Sequence, residues 1–366
     1  MRFPRDMAET ERMILTAIDG GVNYFDTAYM YPGSEETLGK ILDKHKKRES
    51  VFIATKLPLI ICKGPGDFDR FFNKELERLR TDHIDYYLMH MITDFAQWEI
   101  FRGWGIEQWI AEKKRAGKIR QIGFSFHGSC GEFLKILDSC AWEFCQIQYN
   151  YSNENYQAGR TGLQAAAAKG IPVMIMEPLL GGKLAAGLPA AVARLFARAD
   201  PSLSPAAWAF LWLWNQSEVS CVLSGTNTAA QMEENIRAAC AAHPLSEAEC
   251  AVYTEAITVF NRSWKIHCTG CNYCMPCPRG INIPGCFAAY NTSFAQGFVT
   301  GMQQFITGTA AVGRNPHSPR LCVQCGACEK HCPQHLPIRR ALKKVAARME
   351  PLPIRVGLSL ARNFFR

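Results

Sequence analysis

The chain has 366 residues and a mass of 41.0 kDa, which leaves room for one large domain and a small one. Hydrophobic residues make up 48% of it and charged residues 20%, a balance that excludes a disordered or fibrous protein. The net charge is +8, and residues 311–366 account for this excess, because they hold 11 Lys and Arg against two acidic residues.

Apolar segments give no sign of a membrane protein. No apolar run reaches the roughly 18 residues of a membrane-spanning helix. The strongest run, Ala206–Trp214, is predicted to be a buried helix. The N-terminus lacks the charged and then apolar pattern of an export signal. We therefore predict a cytoplasmic protein without a membrane span.

Short apolar segments alternate with helical patterns over the first 225 residues. These segments are rich in Val, Ile, Phe and Tyr, which is typical of parallel strands buried on both faces. The predicted strands are Val22–Ala28, Val51–Leu57, Ile84–His90, Ile119–Phe126, Phe144–Asn150, Pro172–Pro178 and Val219–Gly225. Helices are predicted at Glu9–Asp19, Glu35–His45, Asp67–Arg80, Ile106–Ala116 and Gly131–Cys140, with two more before the last strand.

Repeated βα units in this number are typical of a (β/α)8 barrel or of a doubly wound sheet. A barrel needs eight strands, and the sequence indicates seven. Because Met1–Pro4 leads directly into a helix, we expect the first barrel strand to precede Met1. The prediction is an α/β fold, a TIM barrel without its first strand, with a seven-stranded doubly wound sheet as the alternative.

Polar side chains lie at the carboxyl ends of the first three predicted strands. Asp26 ends the first strand and Tyr31 follows it, Lys56 lies near the end of the second, and His90 ends the third. These ends face the active site in parallel α/β folds. A Lys ammonium favours ionisation of a Tyr phenol, an Asp holds the Lys, and a His orients a substrate oxygen. The set predicts a proton-transfer site, although singly a strand-end Lys is usually solvated and a lone His is usually structural.

The composition changes after a helix predicted at Leu245–Arg262, whose N-cap is Ser246 with Glu249 three residues later. Residues 263–335 are rich in Cys, Pro and Gly, which is typical of a small domain held together by metal rather than by a large core. A basic helix is predicted at 338–348. The predicted domains are a barrel over 1–262, a ferredoxin-like domain over 263–345 and a basic tail over 346–366.

Eight of the 16 cysteines form two short runs in this region. In the first run three x2 spacings precede a Cys-Pro pair, and the second run has the x2, x2, x3 spacing of bacterial ferredoxins. In two-cluster ferredoxins each run supplies three thiolates to one cubane and the fourth to the other. We therefore assign two [4Fe–4S] clusters, one to Cys268, Cys271, Cys274 and Cys332, the other to Cys277, Cys322, Cys325 and Cys328.

A pair of zinc sites is the alternative, because CxxC pairs also bind zinc. The repeated spacing with a terminal Cys-Pro favours iron–sulfur. Each thiolate-ligated cubane with a 2+ core carries about −2, so two clusters, with about −4 together, partly balance the basic residues of 314–348. That basic region is predicted either to be solvated beside the clusters or to bind an acidic electron-transfer protein. A nucleic-acid partner is disfavoured, since no binding motif or interleaved aromatic pattern occurs there.

Five segments of the predicted barrel carry recognisable motifs. They are Asp26–Tyr31 (DTAYMY), Gly33–Glu36 (GSEE), Phe52–Lys56 (FIATK), Leu79–His90 (LRTDHIDYYLMH) and Gly117–Ser125 (GKIRQIGFS). Roughly residues 1–260 resemble the aldo-keto reductases, and the chain with its Cys runs resembles the subgroup with a C-terminal ferredoxin-like domain. The resemblance implies a barrel that reduces carbonyls with a nicotinamide hydride. It implies Tyr31 as general acid, tuned by Lys56 and Asp26, with His90 orienting the carbonyl.

The resemblance also implies a site for NAD(P)H. Ser125 and Gln148 match residues that bind the carboxamide, whereas Phe126 replaces a usual Asn and Glu177 stands where an aromatic ring often stacks on the nicotinamide. The other implied contacts follow the last strand, at Gly225, Thr226, Gln231, Glu234 and Asn235.

The segment after the last strand bears on the choice of nucleotide. Gly225 and Gln231 replace the Lys and Arg that commonly hold the 2′-phosphate, whereas Glu234 and Asn235 match residues that face the adenine. Without those cations the sequence does not choose between NADPH and NADH.

Three functions follow from these patterns. The first is an iron–sulfur oxidoreductase that acts on a carbonyl-type small molecule, with a nicotinamide hydride, with electrons relayed through two [4Fe–4S] clusters, or with both. The second is the same reductase with purely structural clusters that belong to a small domain shaping the substrate pocket. The third is an electron-transfer or redox-sensing protein whose barrel no longer catalyses.

Overall fold

A computed structural model describes residues 6–152, 154–311 and 316–364. They form two compact units. The first unit comprises the described residues up to Pro178 together with Ala206–Leu245, and the second comprises Leu179–Pro205 together with the chain from Ser246 onward.

The first unit is built on one sheet of seven parallel strands, hydrogen-bonded in the order of the chain. The strands are β1 (Tyr24–Asp26), β2 (Phe52–Leu57), β3 (Ile84–Ile92), β4 (Ile119–Phe126), β5 (Phe144–Gln148), β6 (Val173–Met176) and β7 (Val219–Val222). A doubly wound sheet reverses its strand order at a switch point, so the sequential order excludes that alternative. The segment Met1–Pro4, on which the expectation of an upstream strand rests, lies outside the described residues.

Side chains from six of the seven strands meet in one apolar cluster. Its members are Tyr24, Ala54, Tyr86, Leu88, Phe144, Met174 and Cys221. Because the first strand and the last strand both contribute to this cluster, the sheet curls around it. The predicted barrel architecture is confirmed, with seven strands in the described part of the chain.

Helices pack on the outer face of the sheet and build the second unit. They are α1 (Met7–Asp19), α2 (Ser34–Lys44), α3 (Gly66–Leu79), α4 (Phe95–Gly103), α5 (Ile106–Arg115), α6 (Cys130–Leu137), α7 (Gly159–Ala168), α8 (Ala190–Ala199), α9 (Pro205–Trp214), α10 (Ala229–Cys240), α11 (Glu247–Ser263), α12 (Ile283–Ala295), α13 (Phe298–Gly308), α14 (Ala327–Lys330), α15 (Ile338–Met349) and α16 (Leu352–Phe364). Among the described residues, none of the helices has the length and apolar character needed to cross a bilayer.

The amino ends of β2, β3 and β4 are tied together by one buried carboxylate. Asp85 accepts hydrogen bonds from the Ile53 backbone N–H and from the Arg48 guanidinium, each at 2.9 Å. Arg120 adds an ion pair at 2.9 Å. Asp85 belongs to one of the reductase-like motifs. Its role is to hold the amino ends of these strands together, opposite the carboxyl ends that carry Asp26, Lys56 and His90.

The division into compact units does not follow the chain order of the predicted domains. Helix α11 lies in the second unit, where it packs against α8 with Phe196 and Tyr253 in edge contact at 6.1 Å. The predicted capping box at the start of α11 is confirmed, because Ser246 and Glu249 exchange side-chain to backbone hydrogen bonds.

The second unit has a hydrophobic core of its own, formed largely by α12 and α15. Helices α12 and α13 are absent from the sequence prediction, which expected few periodic apolar positions. Asn291 of α12 is fully buried and accepts hydrogen bonds from the backbone of Lys265 and Ile266 at 3.0 and 2.9 Å. It also donates to the Ile266 carbonyl at 2.6 Å, so it fixes the chain just before Cys268.

The region predicted as a basic tail over 346–366 is helical where the structure describes it. Helix α15 continues to Met349, and α16 follows from Leu352. Leu358 is buried in the core of the second unit, and Ile354 packs against that core. These two apolar contacts explain why the segment forms an ordered helix instead of a peripheral tail.

Candidate functional site

The four polar strand-end residues come together in the first unit. The Lys56 ammonium donates to an Asp26 carboxylate oxygen and to the Thr27 carbonyl, both at 2.6 Å, and Lys56 is only 1% exposed. Its nitrogen lies 5.5 Å from the centroid of the Tyr31 ring. The Tyr31 and His90 rings meet edge to face with centroids 6.1 Å apart. The arrangement groups an acid, a cation with its counter-ion, and an imidazole.

A compact turn between β1 and α2 positions Tyr31. The Tyr31 N–H donates to the Ala28 carbonyl at 2.9 Å, and the Tyr31 carbonyl accepts from the Ser34 N–H at 3.1 Å. Gly33 adopts φ 72°, a left-handed conformation that glycine adopts without strain. The buried hydroxyls of Thr27 and Ser34 are joined by a 2.7 Å hydrogen bond, which links the strand end to the helix.

The His90 imidazole is neutral at ordinary pH. Burial lowers its pKa well below the usual value, and the positive charges of Lys56 and of a protonated His127 act in the same direction. A neutral imidazole carries one N–H, so it can donate a hydrogen bond to a substrate oxygen without adding charge.

A second imidazole near this site was missed by the sequence prediction. His127 directly follows β4, is buried, and its backbone N–H donates to the Ile92 carbonyl at 2.9 Å. The available signal was its place one residue past a predicted strand, the same criterion that selected Asp26 and His90.

Residues at the ends of β4 and β5 fit the carboxamide of a nicotinamide. Gln148 is 1% exposed, and neither atom of its amide group has a hydrogen-bond partner among the described residues. A carboxamide has both a donor and an acceptor, so it can satisfy both atoms of such a buried amide. The Ser125 hydroxyl oxygen accepts from the Met91 N–H at 2.9 Å and keeps its own proton to donate.

Glu177 follows β6 in a left-handed conformation with φ 55°. Its backbone carbonyl accepts a hydrogen bond from the Asn150 amide at 3.1 Å. The place where the resemblance implies a stacking ring therefore holds a carboxylate on a strained backbone.

The predicted adenine-side residues lie between β7 and α10. Asn235 donates to the Ser224 hydroxyl at 2.8 Å, and the Gln231 amide oxygen accepts from the Asn227 N–H at 2.8 Å. Thr226 is buried, whereas Gly225 is exposed and Glu234 is half-buried. Gln231, at a position where the resemblance implies that a cation is common, therefore hydrogen-bonds within its own loop.

Each of the two predicted sets of four cysteines lines one cavity in the second unit. The first cavity is bordered by Cys268, Cys271, Cys274 and Cys332. The second is bordered by Cys277, Cys322, Cys325 and Cys328. Each cavity thus takes three cysteines from one run and the fourth from the other. Within the described ranges, no three His, Cys, Asp or Glu side chains have the geometry of a single-ion site.

The two cysteine loops follow the same backbone path. Gly270 and Gln324 occupy equivalent positions before the second Cys of each run, and both have positive φ. Asn272 and Gly326 occupy equivalent positions after it, and both have positive φ again. Repeated left-handed turns wrap each loop around its cavity, as ligation of a cubane by three thiolates on one loop requires.

The comparisons with known proteins agree with this architecture. The model described as Aldo/keto reductase family matches residues 3–257. The chain belongs to the aldo/keto reductase family. A second model, the 4Fe-4S dicluster domain, matches residues 267–336, so this family member carries an iron–sulfur domain and the zinc alternative is disfavoured.

Individual relatives in this family cover parts of the chain. The uncharacterized oxidoreductase YrpG of Bacillus subtilis is 30% identical over 196 residues, 47% of this chain and 58% of that protein. The glycerol 2-dehydrogenase (NADP(+)) of Saccharomyces cerevisiae is 25% identical over 139 residues, 31% of this chain and 43% of that enzyme. The chain thus spans about half the length of these curated relatives.

A solved structure shares the fold. The aldo-keto reductase AKR11C1 from Bacillus halodurans, in its holo form, superposes with a TM-score of 0.58 at 21% identity. The match covers 69% of this chain and 88% of that one.

Proposed function

We propose that this oxidoreductase of the aldo/keto reductase family interconverts a carbonyl-type small molecule and its alcohol at Tyr31, Lys56, Asp26 and His90. The observation that carries the proposal is the buried Lys56 ammonium, held on Asp26 at 2.6 Å beside the Tyr31 ring. Burying a cation raises the free energy of the folded state unless the cation is paired with an anion and hydrogen-bonded. Here the ammonium lies beside the ring of Tyr31 in the turn between β1 and α2.

The side chains divide the proton-transfer work. Tyr31 gives its phenolic proton to the substrate oxygen as charge develops there, and Lys56 stabilises the phenolate that remains. Asp26 and the Thr27 carbonyl hold the ammonium in place. The neutral His90 imidazole donates a hydrogen bond to the same substrate oxygen and orients it. A bound nicotinamide dinucleotide supplies the hydride.

The dinucleotide site of the proposal rests on Gln148 and Ser125 for the carboxamide and on the β7–α10 segment for the adenine end. The orphaned amide of Gln148 supports the first part. The name of the yeast relative, which includes NADP(+), supports NADPH. The lack of a Lys or Arg over 224–235 leaves NADH as the second candidate.

The proposal predicts that Gln148→Leu weakens nucleotide binding about tenfold, because the amide hydrogen bonds to the carboxamide are lost. The measurement is a fluorescence titration of anaerobically purified full-length protein with NADPH and with NADH. Gln121→Leu, the same change near the amino end of the neighbouring strand β4, is the control and is expected to bind like the unmodified chain. Equal binding by Gln148→Leu, or no binding of either nucleotide by the unmodified protein, counts against the site.

In the second unit, the proposal places two [4Fe–4S] clusters on the cysteine sets of the two cavities. When bound, the clusters would supply one-electron transfer. In the structural alternative, they would only cross-link the chain of the second unit. The cavity linings support both the number of clusters and the crossed assignment.

A basic surface beside the second cavity supports an acidic electron-transfer partner. Helix α15 exposes Arg339, Arg340, Lys343 and Lys344, and Arg339 also borders this cavity. Cys325 of the same cavity is exposed to solvent. Clustered charge of one sign attracts a partner of the opposite sign and speeds encounter. We refer to Arg339, Arg340, Lys343 and Lys344 as the α15 basic face.

Reversing two charges of the α15 basic face, with Lys343→Glu and Lys344→Glu, is expected to slow reduction of the protein by an acidic ferredoxin about tenfold at low salt. The difference should vanish at about 1 M salt, where the Debye length is about 3 Å. Stopped-flow absorbance of the clusters measures the rate. The control pair Lys40→Glu and Lys46→Glu changes net charge equally in the first unit. An equal effect of both pairs, or of neither, excludes this face as the docking site.

A further inference from the structure

Two polar side chains of the first cavity are buried without a partner. Gln334 is 2% exposed, and both atoms of its amide lack a hydrogen-bond partner within the described part of the chain. Thr269 is 7% exposed, and its hydroxyl also lacks a hydrogen-bond partner within the described part of the chain. Both residues border the cavity of Cys268, Cys271, Cys274 and Cys332. Leaving such a group unsatisfied costs about 1–3 kcal/mol, so both need an acceptor or donor inside this cavity.

We propose that Gln334 and Thr269 donate hydrogen bonds to sulfur atoms of the cluster held in this cavity and thereby raise its reduction potential. The inference rests on the proposed cluster assignment. Gln334 lies two residues after Cys332, and Thr269 directly follows Cys268. An amide N–H and a hydroxyl are donors, and the thiolate and sulfide sulfurs of a cluster are anionic acceptors. Hydrogen bonds to these sulfurs favour the more negative, reduced state.

The backbone around Thr269 fixes its position. Gly181 has φ 66°, and a Cβ atom there would lie 2.3 Å from the Thr269 carbonyl oxygen. Only glycine therefore allows the loop at 179–182 to pack so closely on the cluster loop. The Lys183 ammonium lies 5.6 Å from the Trp264 ring centroid and about 3.9 Å from where a Cβ atom at residue 270 would be. A cation therefore lies close to the cysteine loop that carries Thr269.

The second cavity has a different polar lining. Besides the cysteines, its lining side chains are apolar except for Arg279 and Arg339, and Arg339 is paired with Glu329 at 2.8 Å. One donor reaches a ligand sulfur there, because the Gln324 amide donates to the Cys322 sulfur at 3.2 Å. Each cluster therefore has its own identifiable side-chain donors, and the donors of one can be removed without touching the other.

The test is an EPR-monitored redox titration of the anaerobically purified full chain and its variants. Gln334→Leu and Thr269→Val are each expected to shift the midpoint potential of one and the same cluster downward, with the other midpoint unchanged. Thr269→Ser, which keeps the hydroxyl, should keep the unmodified potential. Gln324→Leu should lower the other midpoint instead. Iron and acid-labile sulfide are measured in every sample.

Unchanged midpoints in Gln334→Leu and Thr269→Val, at the iron content of the unmodified protein, overturn the proposal. A shift of both clusters, or of the cluster that Gln324→Leu affects, overturns it as well. If Gln334→Leu loses iron, Gln334→Met is judged by the same criterion, because it keeps the side-chain length. Absence of two clusters in the unmodified chain would instead refute the assignment on which the inference rests.

Discussion

Replacing Tyr31 by Phe is expected to lower kcat for carbonyl reduction by about 10²–10⁴-fold, the usual loss when a positioned general acid is removed. The ring keeps its edge contact with His90, so substrate and nucleotide affinities should change little. The measurement is steady-state oxidation of NADPH and NADH with para-nitrobenzaldehyde under anaerobic conditions.

Tyr29→Phe is the matched control for this substitution. Tyr29 lies two residues earlier, but its ring packs against Phe71 at 4.8 Å and under the Arg78 guanidinium at 4.3 Å, away from Lys56. Tyr29→Phe also removes a phenolic oxygen, but it should leave kcat unchanged. Full activity of Tyr31→Phe would remove Tyr31 as the acid, and an equal loss in both variants would point to a structural effect.

Replacing Cys332 by Ala is expected to remove the cluster whose other ligands belong to the first run, and Cys277→Ala the cluster of the second run. Each variant should retain about half of the iron. A [4Fe–4S] cluster needs four thiolate ligands, and each variant leaves one cluster with only three. Each substitution affects the cluster of the other run because each cavity is lined by three cysteines of one run and one of the other.

EPR spectra decide the crossed assignment. The spectrum of reduced Cys332→Ala should match that of Cys271→Ala, and the spectrum of Cys277→Ala should match that of Cys325→Ala. Cys250→Ser, an exposed thiol on α11, should keep both signals. A Cys332→Ala spectrum that matches Cys325→Ala would mean that each run holds its own cluster. Undiminished carbonyl reduction in both single-cluster variants would favour a purely structural role for the clusters.

Much of the barrel and its polar site follows from the sequence, because strong local patterns encode them. Apolar runs of strand length, separated by helical segments, leave few arrangements for a parallel sheet. Asp26, Lys56 and His90 could be chosen together because parallel strands end on one side. The cysteine spacing predicts the crossed sets, since one tight loop has room for only three ligands of one cubane.

The remaining features depend on packing that no local pattern reveals. Gln334 and Thr269 belong to residue types that are mostly exposed, so only the folded chain identifies them as buried. Helix α12 is buried on several sides and therefore lacks the one-sided periodicity that predicts a surface helix. Helices α8 and α11, far apart in sequence, pack on each other, and no local pattern predicts that both lie in the second compact unit.

The decisive experiment follows deuterium from the nucleotide to the product. NADPH and NADH deuterated at C4 of the nicotinamide are incubated anaerobically with the cluster-loaded protein and para-nitrobenzaldehyde, and the alcohol is analysed by mass spectrometry. Hydride transfer in the barrel predicts deuterium on the carbinol carbon, and Tyr31→Phe should form this labelled alcohol about 10²–10⁴-fold more slowly. Alcohol formed without the label would contradict hydride transfer from the nucleotide. Intact clusters in a protein that oxidises neither nucleotide would contradict the proposed reductase and favour a one-electron protein on a barrel that does not catalyse.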